Sequence, residues 1–439
     1  MKNVYIETLG CQMNKSDSER IAGILSHFGY IETNNEKNAD LLIINTCSIR
    51  QLSADKAYSQ LGVWGKRKKT NPEIKIAICG CVAQQDKEKI KKRAPYIDLI
   101  FGTHNIYELP ELIKRVENGE KVCSITNKPY IADQNNFKII RKPSVNAWIP
   151  IIEGCNNFCT YCVVPFTRGR ERSRNPEEIL KEAQNIIKEG FKEITLLGQN
   201  VDSYGKDLND NNITLANLLR KMNSLEGDFR IRFVTSYPSD ITDDLIDAVG
   251  ECEKVCKYFH IPMQSGNSRI LKEMNRHYTK EQYYEIVSKI RSRFPDVAIT
   301  SDFIAGFPGE TEEEFQDTLN AIEELKLDYS NTAAYSPREF TKAGKMIDKF
   351  LPEEVKYERL ERLNEKNREM CLKSNEKFIN KKMRVLVENK TEKNGKITLN
   401  SRADNNKIVH FESDKINIGD FAYVKVTKAQ TWCLYGEPV

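Results

Sequence analysis

Gly154-Cys155-Asn156-Asn157-Phe158-Cys159-Thr160-Tyr161-Cys162 sets three cysteines apart by three and then two residues, with no histidine among them. Thiolates are soft ligands, and cysteines this close on a loop suit an iron-sulfur cluster or zinc. Structural zinc closes with four ligands, commonly as two C-x-x-C pairs, whereas the next cysteine downstream, Cys252, has only Cys256 near it. Three ligands leave one metal position open to a small molecule. The alternative is three thiols that merely share a loop, although packing cysteines are usually buried singly.

Working outward, the loop follows a strand candidate, Trp148 to Ile152, that opens a long alternation of strands and helices. Further strands are expected at Glu193 to Leu197, Arg230 to Thr235, Tyr258 to Ile261, Ala298 to Ile304 and Tyr329 to Ala333. Helical periodicity falls between them, at Pro176 to Glu189, Leu215 to Asn223, Thr242 to Val249, Lys280 to Arg293 and Glu312 to Leu325. Six βα units predict a partial, TIM-like (β/α)6 barrel, in which chemistry sits on loops at the carboxyl ends of the strands. The cysteine loop lies there, and so do Gly198-Gln199-Asn200, Pro262-Met263-Gln264-Ser265-Gly266 and Gly306-Phe307-Pro308-Gly309-Glu310. Gly and Pro at such turns serve backbone geometry as readily as ligands. Arg168, Arg170, Arg172 and Arg174 follow the cysteine loop; guanidinium forks match phosphate oxygens, while a solvated turn or internal salt bridges explain them equally well.

Upstream, strand-like runs at Asn3 to Leu9, Asp40 to Asn45, Lys75 to Cys79 and Ile97 to Phe101 alternate with helical stretches at Asp17 to Phe28, Ala54 to Lys69, Gln84 to Lys92 and Asn105 to Glu117. That alternation predicts a doubly wound parallel sheet. The first three strands run into Leu9-Gly10-Cys11, Asn45-Thr46-Cys47 and Cys79-Gly80-Cys81. Ligands of open α/β sheets collect at the carboxyl ends of the strands, so Cys11, Cys47 and Cys81 are expected to converge on a second three-cysteine metal site. Buried cysteines filling strand ends are the plain alternative. Cys79 still belongs to its strand and is expected to pack, as are Cys123, Cys252, Cys256, Cys371 and Cys433.

The 439 residues are 39% hydrophobic and 30% charged, with twelve cysteines and a net charge of +4. Neither a membrane span nor a signal peptide is legible, so a cytoplasmic, reducing location without disulfides is expected. From Lys381 onward eleven Lys and Arg face seven Asp and Glu, so this segment holds the whole net charge. Past a charged helix at Pro352 to Phe378, short strands at Arg384 to Glu388, Lys396 to Asn400, Ile408 to Glu412 and Phe421 to Ala429 fit a small oligonucleotide-binding β-barrel, or else a structural cap. The expected organisation is therefore α/β throughout its first two domains: a doubly wound domain at 1–122, a linker at 123–147 rich in Pro, Asn and Lys, the partial barrel at 148–378 and the β-barrel at 379–439.

Thr8-Leu9-Gly10-Cys11-Gln12-Met13-Asn14, the stretch from Gly154 to Arg174, Gly306 to Glu310 and the carboxyl-terminal β segment, in that order, resemble the methylthiotransferase family of radical S-adenosylmethionine enzymes along essentially the whole chain. The resemblance implies an amino-terminal methylthiotransferase domain, a radical S-adenosylmethionine core and a terminal RNA-binding TRAM domain. Gln12-Met13-Asn14 and Val163-Val164-Pro165-Phe166-Thr167-Arg168-Gly169 resemble the branch that adds a methylthio group to C2 of N6-dimethylallyladenosine at position 37 of tRNA, beside the anticodon. Tyr335-Ser336-Pro337-Arg338-Glu339-Phe340-Thr341 and Phe166 depart from the family's frequent pattern. The implied cofactors are two [4Fe-4S] clusters and S-adenosylmethionine. Cys155, Cys159 and Cys162 would hold the cluster that splits S-adenosylmethionine to a 5′-deoxyadenosyl radical, and Cys11, Cys47 and Cys81 the cluster that holds the sulfur; a second S-adenosylmethionine gives the methyl group. Gln199, Asn200 and Gln264 are the candidate contacts to S-adenosylmethionine, and no catalytic residue is expected beyond the cluster ligands. The implied partners are a tRNA anticodon loop, whose unstacked bases are accessible, an electron donor and a sulfur source, with no membrane and a monomeric chain. The same chemistry on threonylcarbamoyladenosine or on a ribosomal-protein aspartate, an iron-sulfur RNA-binding protein without activity, and a zinc-bound structural protein are the competing readings.

Overall fold

The structure is a computed structural model that describes residues 1–48, 51–126, 137–393 and 395–439, without the side chains of Gln51 and Glu88. Part of the expected linker, 127–136, lies outside the described residues. The chain forms two compact units: Met1–Pro143 with Glu153–Asn156 and Val163–Arg172, and Ser144–Ile152 with Asn157–Cys162 and Ser173–Val439.

In the first unit, β1 (Lys2–Leu9), α1 (Gln12–His27), β2 (Tyr30–Glu32), β3 (Leu41–Thr46), α2 (Gln51–Thr70), β4 (Lys75–Gly80), α3 (Cys81–Arg93), β5 (Leu99–Phe101), α4 (Leu109–Glu117) and β6 (Val122–Ser124) follow in order. The sheet is parallel, with order β2-β1-β3-β4-β5-β6. β3 is buried at every position, as a central strand covered on both faces must be. Its side chains alternate: Leu41 and Ile43 pack with Ile21, Ile24, Leu112 and Val116 of α1 and α4, while Leu42 and Ile44 pack with Leu61, Trp64 and Ile90 of α2 and α3. The doubly wound expectation is met, with two strands that periodicity missed. β2 and β6 have three residues each, too few to display alternation, and the expected boundary at 122 falls inside β6.

β7 (Asn146–Pro150) begins the second unit, and the two-residue β8 (Ile152–Glu153), the short α5 (Val164–Thr167) and the two-residue β9 (Arg172–Ser173) follow along the chain. The partial barrel continues through α6 (Pro176–Lys188), β10 (Glu193–Leu197), α7 (Leu215–Asn223), β11 (Arg230–Phe233), α8 (Asp243–Glu251), β12 (Tyr258–His260), α9 (Ser268–Glu273), α10 (Lys280–Arg293), β13 (Ala298–Ala305), α11 (Glu312–Glu324) and β14 (Tyr329–Ala334). All six expected strands are present and parallel. They pair as β7-β10-β11 and β12-β13-β14, joined by a single bridge between Ile231 and Val255, because β12 is too short to continue the ladder.

α12 (Glu353–Glu376) leads to β15 (Lys382–Lys393), β16 (Lys396–Ala403), β17 (Ile408–Glu412), β18 (Phe421–Ala429) and β19 (Leu434–Pro438), a closed barrel in the order β15-β16-β17-β19-β18. Val385, Val387, Leu399, Val409, Phe411, Val424, Val426 and Leu434 fill it. β19, interrupted by Gly436 and Pro438, was not expected. The small barrel packs against the amino-terminal ends of the large barrel's strands. Arg230 Nη1 donates to Arg402 O (2.9 Å) and Asp404 Oδ1 (3.1 Å), and Lys407 Nζ lies 2.9 Å from Asp328 Oδ1. Arg230 and Arg232 also share buried Glu193; burial would raise this carboxyl, but Arg232 and Arg230 hold it at about 2. Among the described residues no helix is long and apolar enough to cross a membrane.

Candidate cysteine centres

The carboxyl edge of the first unit's sheet gathers Cys11, Cys47 and Cys81. Cys11 caps α1 with extended backbone, Cys47 follows β3 with its N–H bonded to Leu9 O (2.9 Å), and Cys81 is the first residue of α3. The turn before Cys81 requires Gly80, whose φ is +87°; a Cβ there would stand 2.4 Å from Asn45 Oδ1 and 2.6 Å from Thr46 O. Cys47 is hydrogen-bonded to both Cys11 and Cys81. That contact is the largest cause holding Cys11 and Cys81 at about 6 each, and contacts with Cys11 and then Cys81 push Cys47 up. The N–H groups of Asn14 and Met13 at the start of α1 also favour a Cys11 thiolate.

Cys11 is exposed and the other two are buried, so the group reaches the surface at Cys11. As the side chains stand, no group of three or more His, Cys, Asp or Glu among the described residues has metal-ligand spacing. The thiols are drawn to one another. Three soft sulfurs converging beside two helix amino termini nevertheless fit an anionic iron-sulfur cluster. Cys79 points the other way, 1% exposed in the core on the α1 side of the sheet, where burial raises its thiol well above the ordinary value.

Side chains that spacing had not singled out hold this edge together. Asn14 Nδ2 donates to Asn45 Oδ1 (3.1 Å), and Asn45 Nδ2 donates to Asn14 O (2.8 Å) and Ser18 Oγ (3.0 Å), tying the Cys11 turn to β3. Arg168 is buried beside Cys81, hydrogen-bonds to it and donates to Asp17 Oδ2 at 2.6 Å. Thr103 Oγ1 donates to Thr167 O, and Arg172 pairs with Glu153 (3.3 Å). Arg168 was offered to an RNA backbone by its sequence, as was Arg174; both are instead buried, Arg174 against Glu182 at 2.8 Å in the second unit. A carboxylate partner removes each from the phosphate-binding set.

The second cysteine centre begins in the Cys155 loop. In the first unit, Cys155 N donates to Gly169 O (3.1 Å), and Gly154 has φ +82°, with Arg170 O 2.1 Å from where a Cβ would stand. In the second unit, Cys159 and Cys162 lie beyond the carboxyl end of β7, with Cys162 N bonded to Cys159 O (3.0 Å). The segment after α9 grips their loop. Thr160 N donates to Met274 O (2.9 Å), Thr160 Oγ1 to Glu273 O (3.0 Å), and Asn275 Nδ2 to Asn157 O (3.0 Å) and Phe158 O (3.2 Å). Arg276 Nη1 reaches Cys159 Sγ at 3.5 Å. Nothing in the spacing of the sequence singles it out.

Gln199, Asn200 and Gln264 also lie at the carboxyl ends of strands in the second unit, Gln199 and Asn200 after β10 and Gln264 after β12. Asn200 Nδ2 donates to Asp240 Oδ2 (2.5 Å), and its buried Oδ1 has no partner among the described residues. Gln264 has φ +77° and bonds through its N–H to Asp302 O (2.8 Å) and through its carbonyl to Ile304 N (3.0 Å), which anchors its backbone at the strand end. Gly306 to Glu310 is a structural turn: Glu310 accepts from Gly306 N and Arg359 Nη1, both at 2.9 Å, while burial raises its carboxyl to about 7. The departing Tyr335–Thr341 stretch closes on Thr341, whose N–H and Oγ1 both donate to Arg338 O.

A parallel partial barrel with a C-x-x-x-C-x-x-C loop at its carboxyl end defines a radical S-adenosylmethionine enzyme, and the Radical SAM superfamily model matches residues 149–322. Uncharacterized protein family UPF0004 matches 3–102, and the TRAM domain matches 376–439. Among solved structures, a radical S-adenosylmethionine methyltransferase from Kitasatospora setae, with tryptophan and a cofactor analogue bound, shares the fold at TM-score 0.58 and 14% identity, covering 78% of this chain and 75% of that one. A cobalamin-dependent S-adenosylmethionine radical enzyme shares it at TM-score 0.55 and 12% identity, over 84% and 62%. The tRNA-2-methylthio-N(6)-dimethylallyladenosine synthase of Acetivibrio thermocellus is 47% identical over 100% of this chain and 91% of its own length; that of Clostridium botulinum strain Langeland is 46% identical over 99% and 96%. The chain belongs to that family of radical S-adenosylmethionine methylthiotransferases.

Proposed function

We infer that this chain is a tRNA methylthiotransferase that adds a methylthio group to C2 of N6-dimethylallyladenosine at position 37, beside the anticodon. The observation that carries the reading is the pairing, in one chain of this family, of Cys11, Cys47 and Cys81 at the carboxyl edge of the first unit's parallel sheet with the C-x-x-x-C-x-x-C run at 155–162. Cys155, Cys159 and Cys162 are assigned to one [4Fe-4S] cluster and Cys11, Cys47 and Cys81 to the other. When bound, the clusters and S-adenosylmethionine supply the radical, sulfur and methyl group that an unactivated C2–H bond demands. The protein's part is to hold and orient. Asn200 offers its unpartnered Oδ1, and Gln199 and Gln264 their amides, to S-adenosylmethionine. Arg168 and the amino terminus of α1 face the Cys81 and Cys11 sulfurs with positive potential, which favours an anionic cluster there.

The TRAM barrel, holder of the chain's net positive charge, is the segment that meets the tRNA backbone. The electron donor and the sulfur source lie outside the chain, which acts as a cytoplasmic monomer. Its domains are those expected from the sequence, 1–122, 148–378 and 379–439 with the linker at 123–147, shifted by two residues at 122 and 148 so that β6 and β7 stay whole. Nucleoside mass spectrometry of tRNA from a strain lacking the gene tests the reading. N6-dimethylallyladenosine should accumulate without its 2-methylthio form, and re-expression should restore that form. Intact 2-methylthio nucleoside, with loss of thiolated threonylcarbamoyladenosine or of a modified ribosomal-protein aspartate, would overturn it.

A further inference from the structure

Arg276 differs from the other arginines buried in ion pairs. Arg168, Arg174, Arg230, Arg232 and Arg359 each face a carboxylate between 2.6 and 3.0 Å away. Arg276 is only 9% exposed, and no carboxylate lies within ion-pair distance of it among the described residues; Asp302, whose carboxylate it favours electrostatically from farther off, is engaged by His260 and Asn331. Its contacts are otherwise complete. Nε donates to Tyr278 Oη (2.7 Å), Nη2 to Pro262 O (2.6 Å) and Nη1 to Cys159 Sγ (3.5 Å). The guanidinium lies over two rings, 4.4 Å from the centroid of Tyr237 and 5.0 Å from that of Tyr278. A buried cation without a counter-charge costs several kcal/mol, and aromatic faces offset only part of that. Of its three donor contacts, one is to a carbonyl, one to the Tyr278 phenol, which burial keeps protonated, and one to the Cys159 sulfur, the group suited to bind metal as a thiolate.

We propose that Arg276 is a positioning residue and the counter-ion of the centre assigned to Cys159: it donates Nη1–H to that ligand sulfur and sets a fixed positive charge beside a cluster that becomes more negative when reduced. This rests on the ligand assignment under the proposed function. The anion missing from around Arg276 is then the thiolate-bound cluster. Hydrogen bonds to ligand sulfurs and nearby charge are among the means by which a protein sets a cluster's reduction potential. Arg276 makes this centre easier to reduce by the external one-electron donor. The two tyrosines and Pro262 O fix the guanidinium plane, so that its Nη1 stays aimed at Cys159.

The test is a redox titration followed by electron paramagnetic resonance, on full-length protein carrying Cys11→Ala and Cys47→Ala so that one cluster contributes. With Arg276→Met the ratio of reduced to oxidised cluster at a fixed potential should fall about tenfold, which is 59 mV for a one-electron couple. Arg276→Lys should recover most of that loss. Tyr258→Phe, which removes a buried hydroxyl paired with Thr300 and touches neither Arg276 nor Cys159, should leave the potential in place. If Arg276→Met loses iron, Arg276→Gln, which keeps an amide donor without the charge, carries the measurement and the same downward shift is expected. An unshifted potential in a charge-removing variant with its full iron would overturn the proposal, and so would an equal shift from Tyr258→Phe. A parent protein with Arg276 intact but without the cluster signal would instead overturn the ligand assignment, and the inference with it.

Discussion

The two cysteine centres solve one problem by opposite means. The Cys155 set is written into eight consecutive residues, so chain connectivity alone keeps its members near one another. The Cys11, Cys47 and Cys81 set spans seventy-one residues and converges only because β1, β3 and β4 are parallel neighbours that all end on one edge. Their electrostatic settings differ as well. Cys11 and Cys81 stand at helix amino termini with Arg168 already paired to Asp17, whereas Cys159 meets an arginine without a carboxylate. A local set can be read from spacing alone; a dispersed set needs the topology first.

The comparison breaks most sharply if the two centres do not divide the work. Cys159→Ala should bring S-adenosylmethionine cleavage to background, while Cys11→Ala should keep cleavage measurable and end methylthio transfer; 5′-deoxyadenosine and nucleoside assays on both variants decide it. Equal loss of cleavage in a folded Cys11 variant would dissolve the distinction. The next largest contrast lies within β4 and its turn. Cys81→Ala should lose about one cluster's iron and all methylthio product, whereas Cys79→Ala should keep both and lose about 1 kcal/mol of stability, as read from denaturant unfolding and an iron assay.

Asp17→Asn sharpens the electrostatic side. It leaves Arg168 buried without its carboxylate, which should cost about 3 kcal/mol of stability in the first unit and lower the iron held by Cys11, Cys47 and Cys81, with cleavage at the other centre retained. Smallest is the change that spares both centres. Lys425 and Lys428 are exposed on β18; replacing both with Glu should weaken tRNA binding and flatten the slope of log affinity against log salt by about 1.4 if each meets a phosphate. An unaltered slope would place the tRNA contact elsewhere.

Much of this was legible because the long elements carry period and the cysteines carry chemistry. β3 and the six barrel strands could be read from apolar runs, and the glycine-cysteine steps after β1 and β4 marked the edge. What escaped had physical reasons. β2 and β6 have three residues each, too few for alternation; β12 was expected, but not that its brevity would split the barrel wall. Arg168 and Arg276 were invisible as partners of sulfur, since an arginine's partner depends on residues distant in sequence: Asp17 for one, Tyr237 and Cys159 for the other. Nor could charge counting reveal that Arg402, Asp404 and Lys407 of the small barrel meet the amino-terminal ends of the large barrel's strands.

Iron counting with Mössbauer spectroscopy on anaerobically reconstituted protein tests the two-centre account most directly. The unaltered chain should hold about eight irons as two four-iron clusters. Replacing Cys11, Cys47 and Cys81 together by Ala, or Cys155, Cys159 and Cys162 together, should leave about four in each case, and only the first variant should still cleave S-adenosylmethionine. A folded variant of either kind that retains all its iron, or that loses all of it, would contradict two independent three-cysteine centres.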